Sequence, residues 1–546
     1  MIRALLFAGV LAPKAALACG GMFCDAAQPV DQAAERIVFA WAEDEECADG
    51  LVTVDVQISY TGDADDFAWV VPVPDVPELF VSNDALFNVL ANGTIPTFTL
   101  LRDGGECSDE DSGFANAASD DSASAPEDLG QGGVNVISSQ TVGPYDTVVL
   151  QATNSGVLVE WLQAQGYAIP SDLEPVLQSY LAEHQYFVAL KLSSDKDAGD
   201  LSPLGMTYCG HAASIPIQLT SVAAIPDLPI EVFVLGPTRA VPDNYLHVRI
   251  NEAAVDWYAG GTNYRDVAKR AADEAAGQAF ATDFSGSTIA YASRIWNDDM
   301  VDVASLRLAK TSVEWLTGIV YTSLPPSSQL TALLTAWAPA PAGVDQADFL
   351  QCPDCYASKV SGPFDAGAAT DALQSEILDP LAAAQRMVDA APHLTRMFTT
   401  MDPSEMTMDP LFVFNPDVEQ DLDSSHAATN EYHCGVFGDR SDAQRVLVLS
   451  DGRRIQLPSE AWMADHGTTE LEYMDQLTSP AAIVIENLSD SGPGEILQDY
   501  REQAADEAAA FGQDPEGCAC ATVNPRSLAA ALLLLAGVVL RRRSSR

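Results

Sequence analysis

The sequence predicts an α+β fold. A β-rich N-terminal half with interspersed helices precedes a mostly helical second half that holds a small terminal β-hairpin element. Three observations predict this class. Apolar and polar residues alternate from Val52 to Ile58, which is the period of a half-buried strand. Two stretches, residues 158–162 and 173–181, carry apolar residues at helical spacing. Later, Asp451 and Gly452 separate two apolar runs, a pattern typical of a hairpin with a type I′ turn.

Strands dominate the prediction up to residue 255. A run at 67–71 follows the first alternating segment and stops at Pro72, because proline cannot donate to a strand ladder. A short helix is expected at residues 84–90, with Asp84 as its N-cap. Residues 103–133 hold acidic, glycine and serine residues, which predicts a solvated loop. Further strands are predicted at 186–192, 215–222, 230–235 and 246–250.

After residue 255 the sequence predicts mainly helices, at 264–280, 329–337 and 371–401. Pro380 and Pro392 should break the last of these into pieces, since proline interrupts helical hydrogen bonding. The predicted organisation is a signal peptide, a β-rich domain, a mainly helical region, a small α+β region and a sorting tail. Their ranges are residues 1–18, 19–255, 256–405, 406–512 and 513–546.

The N-terminus has the pattern of a secretory signal peptide. Arg3 precedes a short apolar run, and small residues at 16 and 18 predict cleavage between Ala18 and Cys19. The apolar run is too short to cross a bilayer, which needs about 20 residues. An alternative is a lipoprotein signal, in which Cys19 would be acylated.

The C-terminus has the pattern of a removable membrane tail. Cys518 and Cys520 precede a spacer, an apolar run that begins at Leu528 and ends at Leu540, and a cluster of arginines. This order resembles the myxobacterial C-terminal sorting tag (MYXO-CTERM). The resemblance implies processing at a cysteine by a myxosortase-type protease, with signal peptidase as the other processing partner, and display on the outer membrane or cell surface. The alternative is a retained membrane anchor that contacts the bilayer through this tail.

Acidic residues outnumber basic ones by a wide margin. The chain has 78 Asp and Glu against 27 Lys and Arg, and seven of the basic residues lie in the two end segments. Residues 19–517 therefore carry 78 acidic and 20 basic residues, a net charge of −58. Such a surface repels phosphate backbones, which excludes nucleic acid as a partner. The charge favours adaptation to a saline habitat, with a calcium-binding surface as an alternative.

Cysteine usage predicts disulfides. Eight cysteines lie between the two proposed cleavage points, an even number in an exported chain. We expect a local Cys352–Cys355 bridge and a Cys19–Cys24 bridge. Cys47 is expected to pair with Cys107, which leaves Cys209 with Cys434. Zinc binding is an alternative, with candidate ligands Cys209, His211, Cys352, Cys355, His433 and Cys434, as is a redox role for Cys352 and Cys355.

Several segments resemble the family catalogued as domain of unknown function 2330. The opening Cys19-Gly20-Gly21-Met22-Phe23-Cys24 carries the resemblance together with the run from Phe67 to Pro74. Further pieces are Gly143-Pro144-Tyr145-Asp146, Trp161-Leu162, Gly166-Tyr167 and the segments at 187–192 and 215–220, so that it covers roughly residues 19–255. The resemblance implies bacterial origin and export, and it implies no reaction.

No catalytic motif, metal motif or cofactor-binding loop stands out in the sequence, so we predict no catalytic residues, metal ligands or cofactor. The segment from Asp195 to Asp200 is similar to an acidic calcium loop but departs from the EF-hand pattern. The sequence therefore predicts an exported, surface-displayed acidic protein with a non-enzymatic binding or structural role. The alternatives are an exported hydrolase whose site is not visible from sequence and a calcium-dependent adhesin-like protein.

Overall fold

The computed structural model describes residues 22–23, 31–48, 50–61, 68–103, 134–167, 173–192, 202–210, 213–222, 224–433 and 443–511. Strands and helices are intermixed along these residues, which confirms the α+β class. The strands are β1 Met22–Phe23, β2 Asp31–Ala42, β3 Leu51–Thr61, β4 Ala68–Val73, β5 Glu78–Val81, β6 Thr97–Asp103, β7 Val134–Val142, β8 Tyr145–Ala152, β9 Tyr186–Leu192, β10 Leu204–Cys209, β11 Ala213–Ser214, β12 Leu228–Gly236, β13 Ala240–Pro242, β14 Leu246–Ile250, β15 Ala279–Ser287, β16 His393–Met401, β17 Leu411–Phe414, β18 Ser425–His433, β19 Gln444–Val448, β20 Arg454–Leu457, β21 Ala482–Asn487 and β22 Glu495–Asp499. The helices are α1 Asp84–Thr94, α2 Ser155–Ala164, α3 Leu173–Ala182, α4 Ile217–Thr220, α5 Tyr264–Glu274, α6 Val303–Leu306, α7 Ser312–Val320, α8 Ser328–Trp337, α9 Gln346–Gln351, α10 Ala366–Leu373, α11 Asp379–Ala390, α12 Glu460–His466, α13 Glu470–Met474 and α14 Arg501–Ala510.

A ten-stranded mixed sheet organises the fold. Its order is β22-β21-β14-β15-β16-β12-β2-β3-β10-β5. The pairs β2–β12 and β14–β15 are parallel and the other pairs in this sheet are antiparallel. The sheet takes strands from the predicted β-rich, mainly helical and small α+β ranges alike. Those ranges therefore share one sheet.

Two strands of this sheet occupy stretches that we predicted as helices. The predicted helix 264–280 ends at Glu274, and β15 begins at Ala279. The predicted helix 371–401 ends at Ala390, and β16 lies between β12 and β15 with all nine residues buried. The apolar residues of β16, at 394, 397, 398 and 401, fall at helical spacing, but both faces of the strand are buried, so this spacing does not reveal its structure.

One face of the ten-stranded sheet packs against a second sheet. Ile37, Val232 and Met397 from the large sheet share a core with Val71 and Leu190. The latter residues belong to the five-stranded sheet β1-β4-β9-β8-β7. Helices α2 and α3 cover the outer face of this second sheet with the apolar faces predicted from their spacing. The small sheet β11-β17-β13 completes this side of the core through Phe412.

The opposite face of the large sheet carries two further groups of elements. Val38 and Phe233 pack against α1, α7, α8, α10 and α11. Val248 and Ala281 pack against α5 and the four-stranded sheet β20-β19-β18-β6. Strand β6 comes from the first 103 residues and pairs in parallel with β18, more than 300 residues later. The molecule is therefore built from long-range pairings.

Three local predictions need correction. Within the stretch 215–222 that was predicted as a strand, Ile217–Thr220 form helix α4, and Pro216 before it lacks the N–H that a strand ladder needs. Helix α1 is capped by Asn83, whose side chain accepts from the Ala85 N–H, rather than by Asp84. The β19–β20 hairpin is present, but its turn is not type I′. Only Gly452 of the central residues has a positive φ, +84°, and its N–H donates to the carbonyl of Leu449.

The disulfides confirm one predicted pair and overturn two. Cys352 and Cys355 are bridged as predicted. Cys47 is bridged to Cys209, so the predicted Cys47–Cys107 and Cys209–Cys434 pairs are wrong. The reason is strand pairing: β10 lies beside β3 with Cys209 opposite Leu51, which brings it close to the loop that carries Cys47. These bridges also remove Cys209, Cys352 and Cys355 from the alternative zinc site.

Other predictions lie outside the described residues. They are the cleavage site at Ala18 and Cys19, the processing residues Cys518 and Cys520, the apolar run from Leu528 to Leu540, most of the acidic loop 103–133, the segment 195–200, and Cys24, Cys107 and Cys434. Within the part of the chain that the structure describes, no helix is both long enough and apolar enough to cross a membrane.

Candidate functional site

A crevice opens where two parallel strands separate. Strands β14 and β15 pair only from Leu246 to Val248 and from Ala279 to Ala281. Beyond these residues β14 remains paired with β21, whereas β15 pairs with β16 and, through Ser285, with Leu422. The carboxyl ends of the two strands therefore border a cavity of about 210 Å³. Crevices outside the carboxyl ends of parallel strands are common ligand sites in α/β sheets.

Two register shifts lie in the wall of this crevice, and a third lies on the neighbouring β21–β22 pair. The β15–β16 register shifts between Thr282 and Phe284, and the β14–β21 register shifts between Arg249 and Ile250. The β21–β22 register shifts between Ile485 and Glu486. Bulges redirect side chains and are frequent next to functional sites. The strands at this end of the sheet are thus shaped differently from the regular strands at its centre.

Four polar side chains, three of which line the crevice, form a hydrogen-bonded chain. Arg239 Nη2 lies 3.2 Å from Thr282 Oγ1, and Thr282 Oγ1 lies 2.9 Å from His247 Nε2. His247 Nδ1 lies 2.9 Å from Glu486 Oε1. His247 and Glu486 face each other across the antiparallel β14–β21 pair. We call these residues, Arg239, Thr282, His247 and Glu486, the polar chain.

The charges along the polar chain follow from its surroundings. Burial lowers the pKa of His247 below its ordinary value, although the bond to Glu486 opposes this effect. Burial works against ionisation of Glu486, but hydrogen bonds from His247 and Arg249 bring its pKa down to about 2. Burial and the nearby charge of Arg249 lower the pKa of Arg239 to about 10. At neutral pH the wall therefore contains a neutral imidazole between a carboxylate and a guanidinium.

Arg239 is buried without a matching anion. Arg239 is only 4% exposed, and its Nη1 donates a hydrogen bond to the carbonyl oxygen of Glu419 at 2.9 Å. Its Nε has no hydrogen-bond partner, and no described carboxylate forms an ion pair with it. Most buried guanidinium groups in proteins are paired, because an unpaired buried charge is costly. Arg239 thus has unused capacity to bind an anion.

The opposite wall combines a stacked pair with a buried ionic network. The rings of Phe98 and His426 stack at 4.9 Å between centroids, and His426 Nδ1 lies 3.0 Å from Glu252. Tyr264 donates its hydroxyl proton to Asp283, which also pairs with Arg396 at 3.3 Å. Burial raises the pKa of Asp283 to about 6, although Arg396 and Tyr264 oppose this. This wall offers an aromatic surface and acidic groups.

None of the residues singled out from the sequence lines the crevice. The described cysteines form disulfides elsewhere, and no group of three or more His, Cys, Asp or Glu among the described residues is placed to hold a metal ion. Sequence reasoning missed the polar chain because its members span residues 239 to 486 and form no motif. One signal was available: His247 is one of seven histidines, and it occupies a polar position of an alternating strand yet is buried.

Comparison with known families gives one match. The model of a family described as an uncharacterized protein conserved in bacteria (DUF2330) matches residues 13–301. This range includes Arg239, His247 and Thr282, and it ends before β16 and Glu486. Searches of curated proteins and of solved structures gave no match.

Proposed function

We propose that the chain, which belongs to the DUF2330 family of uncharacterized proteins conserved in bacteria, is an exported, surface-displayed protein. We propose further that it binds a small carboxylate in the crevice between β14 and β15. Arg239 is the observation that carries the binding role, because it is a buried guanidinium that forms no ion pair with a described carboxylate, although Glu486 and Glu419 lie near enough to affect its pKa. A ligand carboxylate in the crevice would supply an anion for this guanidinium.

The size and charge of the crevice limit the ligand. A cavity of about 210 Å³ is smaller than the roughly 300–1,000 Å³ of sites for drug-sized ligands, so the ligand is a small acid. Glu252, Asp283, Glu419 and Asp423 also line the crevice and would repel a multiply charged anion. A ligand with a single carboxylate fits this balance, and a neighbouring ammonium group on the ligand would be favourable.

Export is supported by features away from the crevice. The N-terminal pattern predicts cleavage before Cys19, and the C-terminal pattern resembles a tail processed near Cys518 and Cys520. The long-range Cys47–Cys209 disulfide supports an oxidising compartment, because such bridges are rare in the cytosol. We therefore propose processing by signal peptidase and a myxosortase-type protease, followed by display at the cell surface.

Mass spectrometry of the protein from its native cells tests the export half. We expect an N-terminus at Cys19 without acylation, and no peptide from the apolar run that begins at Leu528. A fatty acid on Cys19 would establish the lipoprotein alternative instead. Recovery of the intact tail from the mature protein would show a retained anchor.

Thermal melts and calorimetry test the binding half. Acetate and glycine at matched ionic strength should raise the melting temperature above that in chloride, because a ligand that binds the native state stabilises it. Arg239→Gln should weaken binding by about 10- to 100-fold, the value of a charge-assisted hydrogen-bonded pair. The control is Arg307→Gln, which removes an arginine that is partly exposed and paired with Asp371 elsewhere on the molecule.

Arg239→Lys provides a second variant in case Arg239→Gln does not fold. It keeps the positive charge but loses the planar guanidinium, so it should bind the carboxylate with intermediate affinity. Two results would refute carboxylate binding. One is a wild-type protein that responds to acetate and glycine no more than to chloride. The other is unchanged affinity in a folded Arg239→Gln variant.

A further inference from the structure

We propose that Thr282 is a nucleophile that accepts the acyl group of a small carboxylic ester, with His247 as its general base and Glu486 as the carboxylate that positions His247. The inference rests on the proposed function in one respect, since the acyl group would occupy the same crevice as the bound carboxylate. It adds a reaction to that binding role. The geometry is a hydroxyl, an imidazole and a carboxylate in sequence at hydrogen-bond distances of 2.9 Å and 2.9 Å.

The position of each proton along the polar chain follows from the chemistry of its members. The carboxylate of Glu486 only accepts, so His247 Nδ1 carries the proton that it receives. His247 Nε2 is therefore an acceptor. The guanidinium of Arg239 only donates, and its Nη2 approaches both Thr282 Oγ1 and His247 Nε2. Thr282 must then donate its own proton to Nε2, which is the arrangement that a nucleophile and its base require.

Arg239 favours the charge that develops during such a reaction. Its Nη2 lies 3.2 Å from Thr282 Oγ1, where it stabilises the oxygen as the proton leaves. A guanidinium at this position also lies close to where the carbonyl oxygen of a bound ester would become negative. Preorganised donors aimed at developing charge supply a large share of catalysis by many enzymes.

The scaffold holds these groups rigidly. Glu486, His247 and Thr282 lie on the three adjacent strands β21, β14 and β15. His247 and Glu486 are paired directly across β14 and β21, and Thr282 is paired with Met397 of β16, one residue beyond the last β14–β15 pair. Each of the three residues is therefore held on a paired strand, and a site on paired strands is held more precisely than one on loops. Thr282 is half-buried and directly precedes the bulge at Asp283, so its hydroxyl lines the cavity.

A similar pair three residues along the strand shows what is special about Thr282. Ser285 Oγ lies 2.8 Å from His393 Nε2 and is also buried on β15. Within the described residues, no carboxylate hydrogen-bonds to His393, and neither residue lines the crevice. Ser285 therefore provides a matched control for removal of a hydroxyl that bonds to a histidine.

The proposed reaction is balanced. The oxygen of Thr282 bonds to the carbonyl carbon of the ester as its proton moves to His247 Nε2. The carbon–oxygen bond to the alcohol then breaks, and the alcohol leaves with that proton. Water, deprotonated by His247, attacks the acyl-threonine, which releases the carboxylic acid and restores the hydroxyl of Thr282.

The test uses the mature protein and p-nitrophenyl acetate. We expect release of nitrophenol with turnover, and an acetyl group on the peptide that contains Thr282 after rapid acid quench. Thr282→Val is isosteric and should lower turnover by about 100-fold or more, as expected when a nucleophile and its base are uncoupled. Thr282→Ser should retain activity, and Ser285→Ala should behave like the wild-type protein.

Glu486→Gln tests the positioning role, since it should lower kcat while KM changes little. Acetylation confined to lysines or other hydroxyls, or full turnover in folded Thr282→Val, would overturn the inference. Its failure can be told apart from failure of carboxylate binding. Binding that depends on Arg239 without an acyl-threonine rejects only the reaction, whereas an acyl-threonine without acetate binding rejects only the binding role.

Discussion

Individual buried carboxylates make this protein sensitive to pH. Asp55 lies on β3 and is 2% exposed, and its Oδ2 has no hydrogen-bond partner among the described residues. Burial raises the pKa of Asp55 to about 7, although a hydrogen bond with Ser82 opposes this. Because the folded pKa lies above the ordinary value of 3.8, the folded protein retains a proton that the unfolded chain loses between about pH 4 and 7. Asp55 therefore contributes less to stability as pH rises through this window.

Asp55→Asn should remove this pH dependence. At pH 8 the variant should be more stable than the wild-type protein by an amount on the order of 1–3 kcal/mol, because no buried charge remains. At pH 4 the two should be nearly equal. Urea unfolding at both pH values measures the difference, with the exposed Asp298→Asn as control. A difference that is the same at pH 4 and pH 8 would contradict the expectation.

One glycine shapes the wall of the crevice. Gly261 has a φ of +77°, and a Cβ added there would lie 2.1 Å from the ring of Phe98. Gly261→Ala should therefore displace Phe98 and weaken ligand binding. Gly343 is a matched control, since its φ is +78° and nothing lies within 4 Å of an added Cβ.

Both substitutions introduce the cost of a left-handed backbone for alanine, about 1 kcal/mol. Gly261→Ala should cost about 1–3 kcal/mol more than Gly343→Ala, because it also overpacks the wall. Thermal unfolding of the two variants measures this gap. Equal losses of stability would show that Phe98 moves aside freely.

At the scale of elements, strand β16 connects two parts of the ten-stranded sheet. It lies between β15 and β12, yet it comes more than 90 residues after the end of the family match at residue 301. Seven strands of the large sheet lie inside the matched range, and β16 joins two of them, β14 and β15, to the other five. The later part of the chain is thus needed to complete the wall that carries Thr282.

The two described disulfides should differ strongly in their effect on stability. Cys47–Cys209 links residues 162 positions apart, whereas Cys352–Cys355 links residues three apart. A longer closed loop restricts the unfolded chain more. Removal of a native bridge typically lowers the free energy of unfolding by about 2–5 kcal/mol. Replacing Cys47 and Cys209 by serine should therefore destabilise the protein far more than replacing Cys352 and Cys355. Denaturant midpoints of the two double variants provide the test, and equal losses would argue against the loop effect.

The whole molecule carries a large negative charge that must be screened. Residues 19–517 hold 58 net negative charges, so added NaCl should raise the melting temperature. The rise should be steepest as the Debye length falls from about 30 Å at 0.01 M to about 10 Å at 0.1 M. A melting temperature that does not change with NaCl would rule out the screening effect.

Calcium and magnesium chlorides at equal ionic strength complete that measurement. General screening predicts similar curves for the two divalent salts. A stabilisation specific to calcium would instead support the calcium-dependent adhesin-like alternative, with the segment 195–200 as the first place to search for ligands.

Local patterns determined much of the secondary structure from the sequence alone. The strand at 52–58, helices α2, α3 and α8 and the β19–β20 hairpin follow from periodicity and turn residues within short windows. The Cys352–Cys355 bridge is local as well. The net negative charge also comes directly from composition.

The tertiary structure alone decided which distant segments meet. β15 and β16 become strands because partners on both sides take up their backbone hydrogen bonds, a long-range effect that overrides their local ambiguity. Cys47 meets Cys209 because β3 and β10 are neighbours. Arg239, His247, Thr282 and Glu486 meet because strand order, rather than spacing along the chain, sets the distances between their side chains.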